Sequence, residues 1–280
     1  MILKIPGYFS NRTMKYTITF LILFTSGLNG FSQVKFIYTD LNSDTILNRL
    51  YDCVSFDLDS QTLKKSGLWK PNLSEQLNSS LDHYSDFFMT QLDTILYFQK
   101  AKSKVAIAVF TTYNYEDSTF LYGGEIRPMK GLALFTKAEN QWAITKFKKM
   151  FNSSEYDFDP TYTVEKFGED LYCLKQENVQ EFYGGHDIES TLYFSLTDFS
   201  EIFSYLRYYS DNTTEVFENE DIYTQRNKIK ILKTKPYYTI ELVTTTIKEN
   251  PNKPNFKKKK IYKTTYRFSP QNNRYVKSSH

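Results

Sequence analysis

The sequence predicts an α+β fold: mostly antiparallel β-sheet, with one or two amphipathic helices near the mature N-terminus. Three observations carry this. The clearest helical spacing of apolar residues falls within residues 41–96. From residue 104 onward the chain breaks into short β-branched and aromatic runs divided by polar turns, the pattern of strands. Helical signals followed by strand signals, rather than alternating with them, point to an antiparallel sheet system.

The elements follow in chain order. Ile46, Leu47, Leu50, Tyr51 and Val54 fall at helical spacing behind Asn42, Ser43 and Asp44, which are good N-caps. A short helix is therefore expected within residues 41–54. Pro71-Asn72-Leu73-Ser74-Glu75 resembles a capping box, and Leu73, Leu77, Leu81, Tyr84 and Phe88 recur every three or four residues, so a second helix is expected to run toward Leu96. Residues 105–113 form a continuous apolar, β-branched run, expected to be a strand buried on both faces. Residues 131–136 and 141–147 flank Lys137-Ala138-Glu139-Asn140 and read as a hairpin with Trp142 on its return strand. Further strands are expected at 162–166, 171–175, 191–196, 229–234, 237–248, 258–268 and 273–277. Residues 202–209 fit either strand or helix. One domain is expected over residues 33–280, with any seam at 212–226, where acidic residues crowd before the charge changes sign.

Met14-Lys15 opens a short apolar run, and Gly30-Phe31-Ser32 follows with small residues at the positions a signal peptidase reads. The run is too short to cross a bilayer, so residues 1–32 are expected to be a signal peptide, with Met14 a candidate true start and Gln33 the mature N-terminus. The expected location is periplasmic or extracellular. Removing residues 1–32 takes away Lys4, Arg12 and Lys15 of the 35 basic residues and none of the 32 acidic ones. The formal charge of the remainder is zero, so the basic balance belongs to the export segment and gives no reason to expect a nucleic-acid partner. What remains is uneven: residues 226–280 hold 15 of the basic residues and only Glu241 and Glu249 as acids. Docking of these strands on an acidic remainder explains that most simply. The run Lys257-Lys258-Lys259-Lys260 reads as protection of an exposed edge strand; an electrostatic binder would need it to share one face with Lys228 and Lys230.

Cys53 and Cys173 are the only cysteines. They admit one disulfide in an oxidising compartment, or two separate buried thiols. Neither has a CxxC partner, so no metal site or cofactor is expected. Gly184-Gly185-His186-Asp187-Ile188-Glu189 is the most concentrated polar cluster. In an extended chain His186 and Asp187 point to opposite faces, which favours a solvated loop over a metal site. Glu125 and Arg127 beside Gly123-Gly124 form either an ion pair or a ligand contact. Nucleophile elbows, HExxH and phosphate loops are missing.

Phe110-Thr111-Thr112-Tyr113, Gly131-Leu132-Ala133-Leu134-Phe135 with Trp142, and Lys166-Phe167-Gly168-Glu169-Asp170-Leu171-Tyr172 with Gly184-Gly185-His186 resemble a set of uncharacterised exported bacterial proteins. The resemblance spans about residues 90–210. Some of those proteins carry cysteines in the loop that here is 114–125, which has none. It implies export and no particular activity. The expected function is a non-enzymatic domain that binds a small molecule or an envelope protein. The alternative is an exported hydrolase using carboxylates and His186, with Glu125, Arg127 and Asp187 as the other candidate site residues.

Overall fold

In the computed structural model, described for residues 37–58, 65–72, 86–116, 119–120, 128–152, 160–182, 186–211, 221–250, 253 and 255–278, the chain is mostly antiparallel β-sheet. The one helix among the described residues is α1 (Ser43–Tyr51). The strands are β1 (Ile37–Tyr38), β2 (Ser55–Leu58), β3 (Lys65–Trp69), β4 (Phe87–Lys100), β5 (Ser103–Glu116), β6 (Thr119–Phe120), β7 (Met129–Ala138) and β8 (Gln141–Asn152). They continue as β9 (Thr161–Lys166), β10 (Tyr172–Phe182), β11 (His186–Ser195), β12 (Glu201–Asp211), β13 (Ile222–Leu232), β14 (Thr239–Glu249), β15 (Lys257–Ser269) and β16 (Arg274–Lys277). The first sheet has the order β1-β8-β7-β5-β4-β3-β2, with β6 added to β5; the second runs β16 through β9 in strict sequence order. Tyr38–His280 make up one compact unit.

Helix α1 forms where its caps dictate. The Asn42 side chain accepts from Thr45 N–H at 2.9 Å, and Asp52 ends the helix in the left-handed region with φ 55, its N–H donating to the Asn48 carbonyl. Asp44 in the first turn and Arg49 in the last complement the helix dipole. The apolar stripe lies on one face of the first sheet, where Tyr51 meets Trp69, Phe110 and Phe147. Burying each such ring fully stabilises by about 1.5–3 kcal/mol. The helix sits close because Gly131 has no side chain: a Cβ there would lie 2.3 Å from the Tyr51 hydroxyl.

β5 is buried on both faces, as its unbroken apolar run predicts. Phe110 points to the helix, whereas Ile107 and Val109 join Leu132 against Leu174, Leu192 and Phe194 of the second sheet. That packing is the core between the sheets. The β7–β8 hairpin turns through Glu139, at φ 53. Residues 202–209 resolve as strand, in β12.

The second expected helix is not helical where it is described. Residues 87–96 lie in β4, which pairs with β5 and β3; residues 73–85 lie outside the described residues. Within β4 the register against β5 shifts between Leu92 and Thr94. The shift leaves Asp93 unopposed, so Phe88, Leu92 and Ile95, all on the helix side of the strand, are spaced four and three apart as if on a helix.

The second sheet rolls so that its last strands meet its first. The Tyr275 hydroxyl donates to the carbonyls of Tyr238 and Phe167 at 2.8 and 3.2 Å, Gly168 bridges to Tyr237, and Asn273 reaches Ser200 at 2.9 Å. Inside the roll lie Phe167, Cys173, Tyr193, Phe203, Ile240 and Tyr275. No helix among the described residues is long and apolar enough to cross a membrane.

Candidate functional site

The second sheet carries a cleft where two neighbouring strands part. β12 and β13 pair only from Tyr208–Asp211 to Tyr223–Arg226. Beyond that short ladder Asn227 spans the gap, its side-chain amide donating to the Leu206 carbonyl at 2.5 Å. The buried Asn227 Oδ1 has no protein partner. The space opened is about 550 Å³, lined from one side by Glu189, Tyr205, Arg207 and Tyr208 and from the other by Arg226, Asn227, Lys228 and Ile229. Its size falls in the range of small-molecule sites.

A β-bulge arms the cleft. Glu189 lies opposite Tyr208 and Ser190 opposite Leu206, so Arg207 is the extra residue. Bulges re-aim side chains, and Arg207 is turned onto two carboxylates: Nη1 on Glu177 at 2.9 Å and Nε on Glu189 at 2.7 Å. Glu177 also receives Lys175 at 3.0 Å, and Lys175 reaches Glu165 at 3.5 Å. Three carboxylates and two cations thus form a ladder across β9 to β12. Burial works to lower the Lys175 pKa, but Glu177 and Glu165 outweigh it and hold the ammonium above its ordinary value.

Beside the ladder, on the same face of the sheet, lies a group of aromatic rings. Tyr193, Phe203 and Tyr205 are in ring contact, at 6.2 and 5.8 Å. Tyr193 is fully buried and its hydroxyl has no protein partner; burial, then the charge of Glu165, pushes its pKa up. At the rim, the Arg226 guanidinium lies 5.5 Å from the centre of the Tyr208 ring. The cleft therefore offers cations and phenol faces beside an Asn227 amide whose own oxygen is buried. That set recognises a polar molecule bearing an anionic group. Its described lining holds no nucleophile beside a base.

A second polar cluster is closed between the sheets. Lys130, 3 % exposed, donates to Thr111 Oγ1 at 2.7 Å and lies 3.6 Å from Asp93, which accepts from the same hydroxyl at 2.6 Å. Gln176, Asn178 and Ser190 continue this layer on the second sheet through side-chain hydrogen bonds of 2.8 and 3.2 Å. Such a paired buried charge is a structural unit: removing one partner costs far more than the pair contributes.

Of the residues singled out from sequence, Glu189 lines this cleft and His186 and Asp187 are not among its lining. His186 opens β11, its backbone opposite Phe182 and Asp211, and Asp187 follows it, exposed, opposite Glu181 and Ser210. Glu125 and Arg127 lie outside the described residues. Cys53, between α1 and β2, and Cys173, in β10, are free thiols. Cys53 Sγ donates to the Leu47 carbonyl at 3.4 Å beside Gly67 of the first sheet, and Cys173 is buried in the aromatic interior of the second. Among the described residues no group of three His, Cys, Asp or Glu side chains could hold a metal ion. Sequence reading missed Arg207 and Asn227 and noticed Glu189 only within the His186 cluster, since only strand register brings the three together. No family model matches the chain, and no curated protein and no solved structure shows significant similarity to it.

Proposed function

We propose that the protein is an exported, non-enzymatic binding domain that holds a small polar molecule carrying an anionic group in the cleft between β12 and β13. The observation that carries this reading is the parting of those two strands around Asn227, which leaves three cations and two tyrosines on one opening. Arg207 is already matched by Glu177 and Glu189, so Arg226 and Lys228 supply charge for the ligand while Arg207 shapes the wall. An apolar ring face of the ligand lies against Tyr205 or Tyr208.

Export rests on the layout of residues 14–32, and the reading places the mature chain, from Gln33, in the periplasm or outside the cell. Intact mass of the protein from its native host tests that part. The binding part is tested by calorimetric titration of the full chain with D-glucuronate and, as the uncharged comparison, D-glucose. Glucuronate is expected to bind more tightly, and the double substitution Arg226→Gln with Lys228→Gln to weaken it by roughly tenfold, as loss of two partly exposed charge contacts would. Equal affinity for the two sugars, or no change in the variant, contradicts the assignment.

A further inference from the structure

Among the described residues β15 is a sheet edge along most of its length. On one side it pairs with β14 from Lys257 to Tyr266. On the other, β16 covers only Tyr266 to Ser269, so among the described residues no strand borders 257–264 on that side. The direction of its backbone groups can be read from one bond: Ser278 N–H donates to the Thr265 carbonyl at 2.8 Å, on the side of β16. Peptide groups alternate in direction along a strand, and the β14–β15 ladder has no register shift. Lys257, Lys259, Ile261 and Lys263 therefore aim their N–H and C=O groups at the open edge.

The lysines do not make a one-sided patch. Lys257, Lys259 and Lys263 share a face with Lys228 and Lys230 through the β13–β14–β15 register, whereas Lys258 and Lys260 project from the opposite face. All five lysines of β15 are exposed, and so are Ile261 at 58 % and Tyr262 at 51 %, one on each face. A planar anionic surface can reach only one face of this edge. A strand laid along it reaches both, because its own side chains alternate in the same way. A second copy of β15 would set lysine against lysine, which is unfavourable across strands.

We propose that the open edge of β15, residues 257–263, accepts an acidic extended segment of a partner protein as an added strand, its Asp and Glu side chains matching lysines on both faces. The edge backbone supplies the hydrogen bonds, and the lysines that keep other edges away select an acidic one.

The probe is a fluorescent eight-residue peptide alternating Asp or Glu with Val, titrated by anisotropy against the full chain, with a peptide carrying Lys in place of the acids as the control. The acidic peptide alone is expected to bind. Lys257→Gln with Lys259→Gln, and Lys258→Gln with Lys260→Gln, are each expected to weaken it about two- to fivefold, the size of cross-strand charge pairs. Ile261→Pro removes one outward N–H and leaves the β14 ladder intact, so it is expected to weaken binding at least about tenfold; a thermal melt checks that the variant is folded. No binding of the acidic peptide overturns the proposal. So does sensitivity to only one of the two lysine pairs, the mark of a planar polyanion site, or full binding by folded Ile261→Pro.

Discussion

Asn227 takes the place of a ladder bond: its side-chain amide, not a backbone N–H, holds the Leu206 carbonyl across the gap between β12 and β13. The width of the cleft depends on that contact. Asn227→Leu leaves a carbonyl without its donor and removes the buried acceptor, so a loss of about 1–3 kcal/mol is expected, together with loss of glucuronate binding. Urea unfolding measures the first and titration the second. A variant of unchanged stability would mean that another group bridges the strands.

Gly131 allows Tyr51 to reach the Lys149 carbonyl, to which its hydroxyl donates at 3.0 Å. An added methyl group would meet the Tyr51 hydroxyl at 2.3 Å and that carbonyl at 2.6 Å. Gly131→Ala is expected to destabilise by about 1–3 kcal/mol, as overpacking does. Adding Tyr51→Phe should recover only part of this, since the clash with backbone remains. Melting temperatures of the single and double variants check both statements.

The thiols are expected to be inert in the native state. Burial, moderated by Lys149, pushes Cys53 up to about 12, and burial pushes Cys173 up as well. Thiolate is the reactive form, so iodoacetamide at pH 8 should add nothing to the native chain and label both cysteines after denaturation. Mass spectrometry reads this directly. A native mass lower by two hydrogens would reveal a bridge in place of two thiols.

Acid should loosen the closure of the second sheet. Burial would raise the Asp198 pKa, but hydrogen bonds from the Ser200 hydroxyl and N–H outweigh it and hold the carboxyl below its ordinary value. The same carboxylate accepts from Asn273 at the start of the closing hairpin strand. A folded-state pKa lowered in this way contributes stability that is present above about pH 4 and lost as pH falls through the folded value. Asp198→Asn is expected to lower the melting temperature at pH 7 and to flatten its decline below pH 4. A parallel downward shift at every pH would show that the carboxylate's charge is not involved.

Local signals were legible where one element satisfies itself. The cap candidates Asn42, Ser43 and Asp44 and the stripe of Ile46, Leu47, Leu50 and Tyr51 mark α1 within the chain, and the run from Val105 marks β5 because both of its faces are buried. β4 was not legible, since the expected helix was carried on from the stripe of Leu73 to Phe88 toward Leu96, whereas residues 87–100 are strand. The candidate site was less so. Glu177, Glu189 and Arg207 lie on three strands, and Arg207 meets both carboxylates only because it is the extra residue of a bulge. The Gly184-Gly185-His186 cluster attracted notice for its composition, yet ligand recognition depends on convergence. The lysine run, expected to guard an edge strand, lies on β15, which among the described residues has no strand beside 257–264 on the side away from β14.

The central claim is that the opening between β12 and β13 is a binding site. The most direct test is a two-dimensional amide NMR titration of the labelled chain with D-glucuronate. The account expects the largest shifts at the backbone amides of residues 205–208 and 226–229 and at the Asn227 side-chain amide, with little change on the first sheet. Shifts confined to other regions, or none at saturating sugar acid, would contradict it.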